Sequence, residues 1–133
     1  MRRYVVDANA LLNYIDERPQ GARVAAMLKE AARAEQPLLI SAVNWGEVLY
    51  LLWRTYGEEH VQRIRAGVKQ LPLQIVPATE DDALTAARLK AIHKLPYADS
   101  FAAALAMREH ATLVTSDPDF ERLGKQVPIL WVR

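Results

Sequence analysis

Residues 4–15 read YVVDANALLNYI, and the fold turns on this stretch. Apolar Tyr4, Val5 and Val6 run straight into Asp7, after which Ala10, Leu11, Tyr14 and Ile15 recur at helical spacing. A change from an unbroken apolar run to a period of about 3.6 predicts a buried strand handing over to a helix. Asp7 stands at the hand-over. An ionised carboxylate is costly to bury there unless something pairs with it. A pairing group has to come to the same place from elsewhere in the chain.

Working outward, the same alternation repeats. A strand over 3–6 and a helix over 8–16 precede a second helix over 20–34, where Val24, Met27, Leu28 and Ala31 keep the helical period. LLIS at 38–41, after Pro37, reads as a second strand, and 42–56 as a long apolar helix closed by Gly57. An amphipathic helix over 58–71, a third strand LQIVPA at 73–78 and a helix over 79–93 follow, the last opened by Thr79 with Asp82 three residues on. An Ala-rich helix over 97–110, a strand ATLVTS at 111–116, a short helix over 117–124 and a strand PILWV at 128–132 complete the chain. Apolar strands alternating with helices predict an α/β fold, a three-layer α/β/α sandwich around a central, mainly parallel sheet. In such sheets ligands collect outside the carboxyl ends of the strands, near the point where strand order reverses. Asp7 lies on that edge.

Composition narrows the field. The 133 residues make one domain, 1–133, and are too few for two ordinary ones. Hydrophobic residues at 51% argue against a disordered chain. The absence of cysteine excludes disulfides and thiolate metal sites and fits a reducing compartment. No apolar run is long enough to span a bilayer and the N-terminus lacks the apolar core of a signal peptide, so the expectation is a cytoplasmic protein without membrane association. A net charge of +1, from 17 basic and 16 acidic residues, is not that of a protein holding nucleic acid by bulk charge. Nucleic acid would be held locally, through a metal, a partner subunit, or a few side chains such as Arg18, Arg23, Arg54, Lys90 and Lys94. Arg2 and Arg3, ahead of the first strand, belong at the opposite end of the sheet. Neither GxGxxG nor a P-loop occurs, which argues against dinucleotide and ordinary nucleoside-triphosphate sites.

Three further acids are placed like Asp7. Glu47 sits mid-helix among Val43, Tyr50 and Leu51 at three- and four-residue spacing. Asp99 opens the Ala-rich helix, and Asp117 follows the fourth strand directly, with Asp119 two residues on. Each has a local explanation. Asp7 and Asp117 can cap helices, the latter with Pro118 at the first helical position. Asp99 can answer a helix dipole, and Glu47 can pair with Arg54 or with an arginine elsewhere. Convergence explains all four together. Four carboxylates meeting without a cation would repel and take up protons. Mg²⁺ or Mn²⁺, which prefers oxygen ligands, removes the conflict. Such an ion can activate a water, and a pair of ions can clamp both oxygens of a phosphodiester displacement. The implied chemistry is phosphate-ester hydrolysis. His60, His93 and His110 lie on helices away from the acids in sequence and have no evident general-base role.

VVDANALL, NWGEVLY, LPYADSFAAALA and LVTSDPDF resemble, in order and spacing, the four acidic blocks of the PIN domain family, and more narrowly the ribonuclease toxins of VapBC toxin–antitoxin modules. The resemblance runs from Tyr4 to Phe120. It implies an α/β/α sandwich and a Mg²⁺- or Mn²⁺-dependent endoribonuclease. Carried over by position, Asp7, Glu47, Asp99 and Asp117 form the acidic quartet. Asp7, Asp99 and Asp117 would bind metal directly, and Glu47 would bind a second ion or hold a metal-bound water. Asn9 and Thr115 match polar residues that orient the site, or serve as turn and cap residues, and Asp119 matches a further acid. The resemblance also implies RNA as substrate, an antitoxin peptide wrapped over helices near the site, and a homodimer, for which Trp45, Tyr50, Trp53 and Tyr56 on one helix offer an interface or else core. Other readings differ at named positions. A haloacid-dehalogenase-like phosphatase needs a second Asp where Asn9 stands, and a receiver domain needs an Asp where Pro77 follows the third strand. A PIN nuclease in RNA maturation without an antitoxin and a non-catalytic PIN-like binding module share the fold.

Overall fold

The computed structural model describes residues 2–133. Five strands, β1 (Tyr4–Val6), β2 (Leu38–Ser41), β3 (Leu73–Val76), β4 (Thr112–Thr115) and β5 (Ile129–Trp131), pair in the order β3-β2-β1-β4-β5, every pair parallel. Six helices connect them: α1 (Ala8–Ile15), α2 (Gly21–Ala34), α3 (Ala42–Tyr56), α4 (Glu58–Val68), α5 (Glu80–His93) and α6 (Tyr97–Arg108). The α/β class and the layered sheet expected from the sequence are both present, and the sheet is wholly parallel.

Neighbouring residues of each buried strand serve opposite layers, because side chains alternate across a pleated sheet. Val6, Leu38, Ile40 and Val114 pack with Leu11, Val24, Leu28, Val48 and Leu52 on one face. Val5, Leu39 and Leu113 pack with Leu89, Leu105, Ala102 and Phe120 on the other. Burial on both faces is why β1, β2 and β4 are apolar throughout. Helices α1 and α2 approach so closely that a Cβ on Gly21 would collide with the backbone of Asn13 and Tyr14.

Several limits differ from the sequence reading. The first strand starts at Tyr4. The third is an edge strand ending at Val76, with Gln74 and Ile75 exposed where no further strand covers them. Helix α4 stops at Val68, and a turn over 69–72 replaces its expected last residues. The segment Pro118–Leu123 is a 3-10 helix rather than an α-helix.

Strand β1 is central: the chain moves outward from it to β2 and β3, then returns to its other side with β4 and β5. The order reverses between β1 and β4. The carboxyl ends of these two strands, where Asp7 and the 115–117 segment lie, flank the switch point expected to receive a ligand.

Candidate functional site

Asp7 follows β1 in extended backbone and caps α1, its Oδ1 accepting from the Ala10 amide at 2.8 Å. Its other oxygen accepts from the Thr115 hydroxyl at the end of β4. The same hydroxyl oxygen accepts from the Asp117 amide at 3.0 Å. Thr115 is fully buried, so one hydroxyl joins the loops that leave the two central strands. Asp117 caps the 3-10 helix, accepting from the Asp119 amide at 2.9 Å. Both capping explanations for Asp7 and Asp117 therefore hold, and neither conflicts with a site, because a carboxylate tied by one backbone donor keeps further lone pairs.

Asp99 comes from the first turn of α6 and Glu47 from the second turn of α3; both are half-buried. Asp99, Asp117 and Asp119 each offer a carboxylate oxygen within 4.8 Å of the other two. Asp7 and Glu47 stand outside that tight group yet near enough for their charges to act on Asp99. Burial lifts the Asp99 carboxyl to about 8, with the charges of Asp117, Asp7 and Glu47 adding to it. Burial also lifts Asp7, to about 6, against the hydrogen bonds from Thr115 and Ala10 and with the charges of Asp117 and Glu47. Glu47 is raised by burial.

Among the described residues no lysine or arginine pairs with Asp7, Glu47, Asp99 or Asp117. Arg54, the expected partner of Glu47, lies instead over the Tyr50 ring and donates to its hydroxyl at 3.3 Å. Asp119 alone has a cation, Arg122, at 3.3 Å. Oxygen-only donors in this number, without thiolate or imidazole, fit a hard divalent cation such as Mg²⁺ or Mn²⁺.

Asn9 is exposed, and its amide donates to Ser116 Oγ at 3.1 Å, a second link between the ends of β1 and β4. The histidines lie elsewhere: His60 stacks on Tyr56, and His93 contacts Gln126. Among the basic candidates, Arg18 pairs with Asp16 at 3.6 Å. Lys90 reaches the Leu95 carbonyl at 3.5 Å, and the Lys94 carbonyl accepts from Arg122. Arg2, Arg3 and Arg23 line a cavity of about 510 Å³ beside the strand starts Tyr4 and Leu38, at the far end of the sheet from the acids. Arg2 and Arg3 lie where the sequence places them; Arg23, a candidate phosphate contact with solvated surface charge as its alternative, also lies beside the strand starts, away from the acids. On α3, Tyr50, Trp53 and Tyr56 are exposed, whereas Trp45 packs against the core.

The family model of the PIN domain matches residues 4–126. The chain belongs to the PIN domain family. Solved structures agree with that membership in fold. VapBC2 from Rickettsia felis, solved bound to a DNA fragment from its promoter, superposes with a TM-score of 0.80 at 19% identity over 98% of each chain. DNA-bound VapBC from Salmonella typhimurium gives 0.78 at 15% identity over 100% of each chain. VapC20 from Mycobacterium tuberculosis, a toxin described as cleaving the sarcin–ricin loop, gives 0.68 at 17% identity over 91% of this chain and 95% of its own. At these identities the likeness establishes the shared fold. No curated protein matches the chain in sequence. Within this PIN domain, sequence reading missed Asn44, a buried amide joining α3 to α6, and Ser116, the partner of Asn9.

Proposed function

We propose that this PIN domain is a Mg²⁺- or Mn²⁺-dependent endoribonuclease that hydrolyses RNA phosphodiester bonds, and that it acts as the toxin of a type II toxin–antitoxin module. One observation carries the reading: acids from four separate elements meet at the switch point of a parallel sheet without a pairing lysine or arginine. An acid with a purely structural role would be paired, since an unpaired one must either carry an uncompensated charge or hold a proton, and either costs stability.

Asp99, Asp117 and Asp119 offer the closest set of oxygens for a cation, with Asp7 and Glu47 completing the acidic wall. When bound, the ion supplies Lewis acidity at the phosphoryl oxygens and an activated water. The chain's own part is orientation. Thr115 holds the Asp7 carboxylate and the Asp117 backbone in one frame, and Asn9 ties the loop after β1 to the loop after β4. Asp99, lifted to about 8, keeps its proton at neutral pH, whereas Asp7, lifted to about 6, is mostly ionised there, so a cation would compete with a proton chiefly at Asp99.

The VapBC structures, solved as toxin–antitoxin complexes, support an antitoxin partner. The exposed Tyr50, Trp53 and Tyr56 face of α3 supports a second copy of the chain as the other partner. No helix among the described residues is long and apolar enough to cross a membrane.

The test is cleavage of a defined mixed RNA pool by purified, antitoxin-free protein with Mg²⁺, with Mn²⁺ and with chelator. An Asp7→Asn/Asp99→Asn double variant runs alongside to exclude a contaminating nuclease. Metal-dependent cutting that the double variant lacks supports the nuclease. Folded, metal-supplied protein that cuts no RNA in a wide panel of structured substrates overturns it in favour of a binding module.

A further inference from the structure

Asn44 is wholly buried in the first turn of α3. Its Nδ2 donates to the Ala98 carbonyl of α6 at 2.9 Å, across 54 residues of sequence. Its Oδ1 is buried and has no hydrogen-bond partner among the described residues. This is a poor arrangement for stability alone. A buried acceptor without a donor carries an uncompensated desolvation cost. The Ala98 carbonyl gains little in return, because it already faces the amide of Ala102 in the α6 ladder.

The bond does fix the relation between two backbones at a telling place. Asn44 lies one turn before Glu47, on the same side of α3. Ala98 immediately precedes Asp99. The amide thus clasps the segment carrying one carboxylate to the segment carrying another. Residues behind metal ligands act in this way, holding the ligands so that little ordering remains when the ion arrives.

We propose that Asn44 is a positioning residue for the carboxylate site, clasping α3 to the start of α6 so that Glu47 and Asp99 stand at a fixed separation for a divalent cation. The inference rests on the acids being a cation site. Asn44 is retained at a cost in stability, as local departures from good packing often are beside functional groups.

The experiment compares wild-type protein with Asn44→Leu, which keeps the branching, and Asn44→Ala, which avoids overpacking. Thermal melting is measured on chelator-treated samples, and Mn²⁺ affinity by titration calorimetry. The expected result is melting within about 3 °C of wild type for at least one variant, and Mn²⁺ bound roughly tenfold or more weakly by it. A folded variant that binds Mn²⁺ as tightly as wild type overturns the proposal, and so does melting far below wild type in both variants, which would make Asn44 a packing residue. Wild-type protein that binds no Mn²⁺ is a separate result: it removes the cation-site reading itself.

Discussion

Asp82 and Asp99 are the third residues of adjacent helices, α5 and α6, and the two carboxylates have opposite surroundings. Asp82 follows Thr79 and closes a reciprocal cap, the Thr79 amide donating to its Oδ2 at 3.1 Å. Arg108 of α6 then grips both of its oxygens, at 2.9 and 3.0 Å. Asp99 follows Pro96, which has no N–H to offer, so a reciprocal cap cannot form. Its nearest charges are all negative, and burial with those charges lifts its carboxyl to about 8. A buried acid that has its cation is part of the frame. A half-buried acid surrounded by other acids is frame only at a loss, and its placement points to a cation from outside.

The sharpest way to break this comparison is to exchange the effects. Asp99→Asn is expected to lower metal-dependent RNA cleavage by at least about a thousandfold, about 4 kcal/mol in the barrier, with no loss in melting temperature. Asp82→Ala removes the two-pronged pair and half of the reciprocal cap and is expected to cost about 3 kcal/mol of stability, since Arg108 is a third exposed and the pair falls short of full burial. Cleavage per folded molecule should then stay near wild type. Urea denaturation midpoints and single-turnover cleavage check both. Matching stability losses in the two variants would erase the distinction.

Much of this contrast was legible in the residues. The four acids, their order and their elements were readable because each interrupts an apolar pattern at a strand end or on a helix. The reciprocal cap of α5 was readable from Thr79 and Asp82 three residues apart. Pro96, three residues before Asp99, is equally local, but the missing reciprocal cap there was not read from it. What sequence could not give were contacts between distant segments. The ranking of Asp119 among the closest oxygens depends on how the 3-10 helix turns toward α6, and the role of Asn44 depends on a partner 54 residues away. Element ends at β3 and α4 were misjudged because apolar residues also occur on edge strands and in turns, where only neighbours in space decide burial.

The next effect is smaller and concerns protons. Asp7 and Asp99 rise from an ordinary 3.8 to about 6 and about 8 in the folded protein. The folded state therefore binds more protons than the unfolded state between these limits, and stability falls as pH rises. The stabilisation is complete below pH 3.8 and is lost as pH passes through about 6 and then about 8. Chelator-treated protein is expected to melt roughly 5–10 °C lower at pH 9 than at pH 5. Saturating Mg²⁺ should oppose this loss, with a larger upward shift in melting at pH 8.5 than at pH 6, because the ion competes with protons for the same oxygens. Asp99→Asn should flatten the alkaline part of the melting profile. A rise in the melting temperature of chelator-treated protein with pH would contradict the assignment of these two acids.

The finest test lies in Thr115, which has no charge but belongs to both halves of the contrast: it is wholly buried, like a frame residue, and bonded to an acid of the site. Its hydroxyl favours the ionised form of Asp7, opposing the upward push of burial. Thr115→Val keeps the volume and removes the donor, so Asp7 should hold its proton to higher pH. The cation must then displace that proton over a range, from about pH 6 upward, in which wild-type Asp7 is already at least half ionised. Cleavage should fall about tenfold near pH 6 and recover most of the way by pH 8.5, moving the acid limb of the rate profile upward. A purely structural hydroxyl would instead lower the rate by a similar factor at every pH. The Asp117 amide also loses its acceptor in this variant, a change that carries no proton, so any part of the loss that persists at pH 8.5 measures the displacement of the 115–117 loop. The part that recovers measures the carboxylate of Asp7.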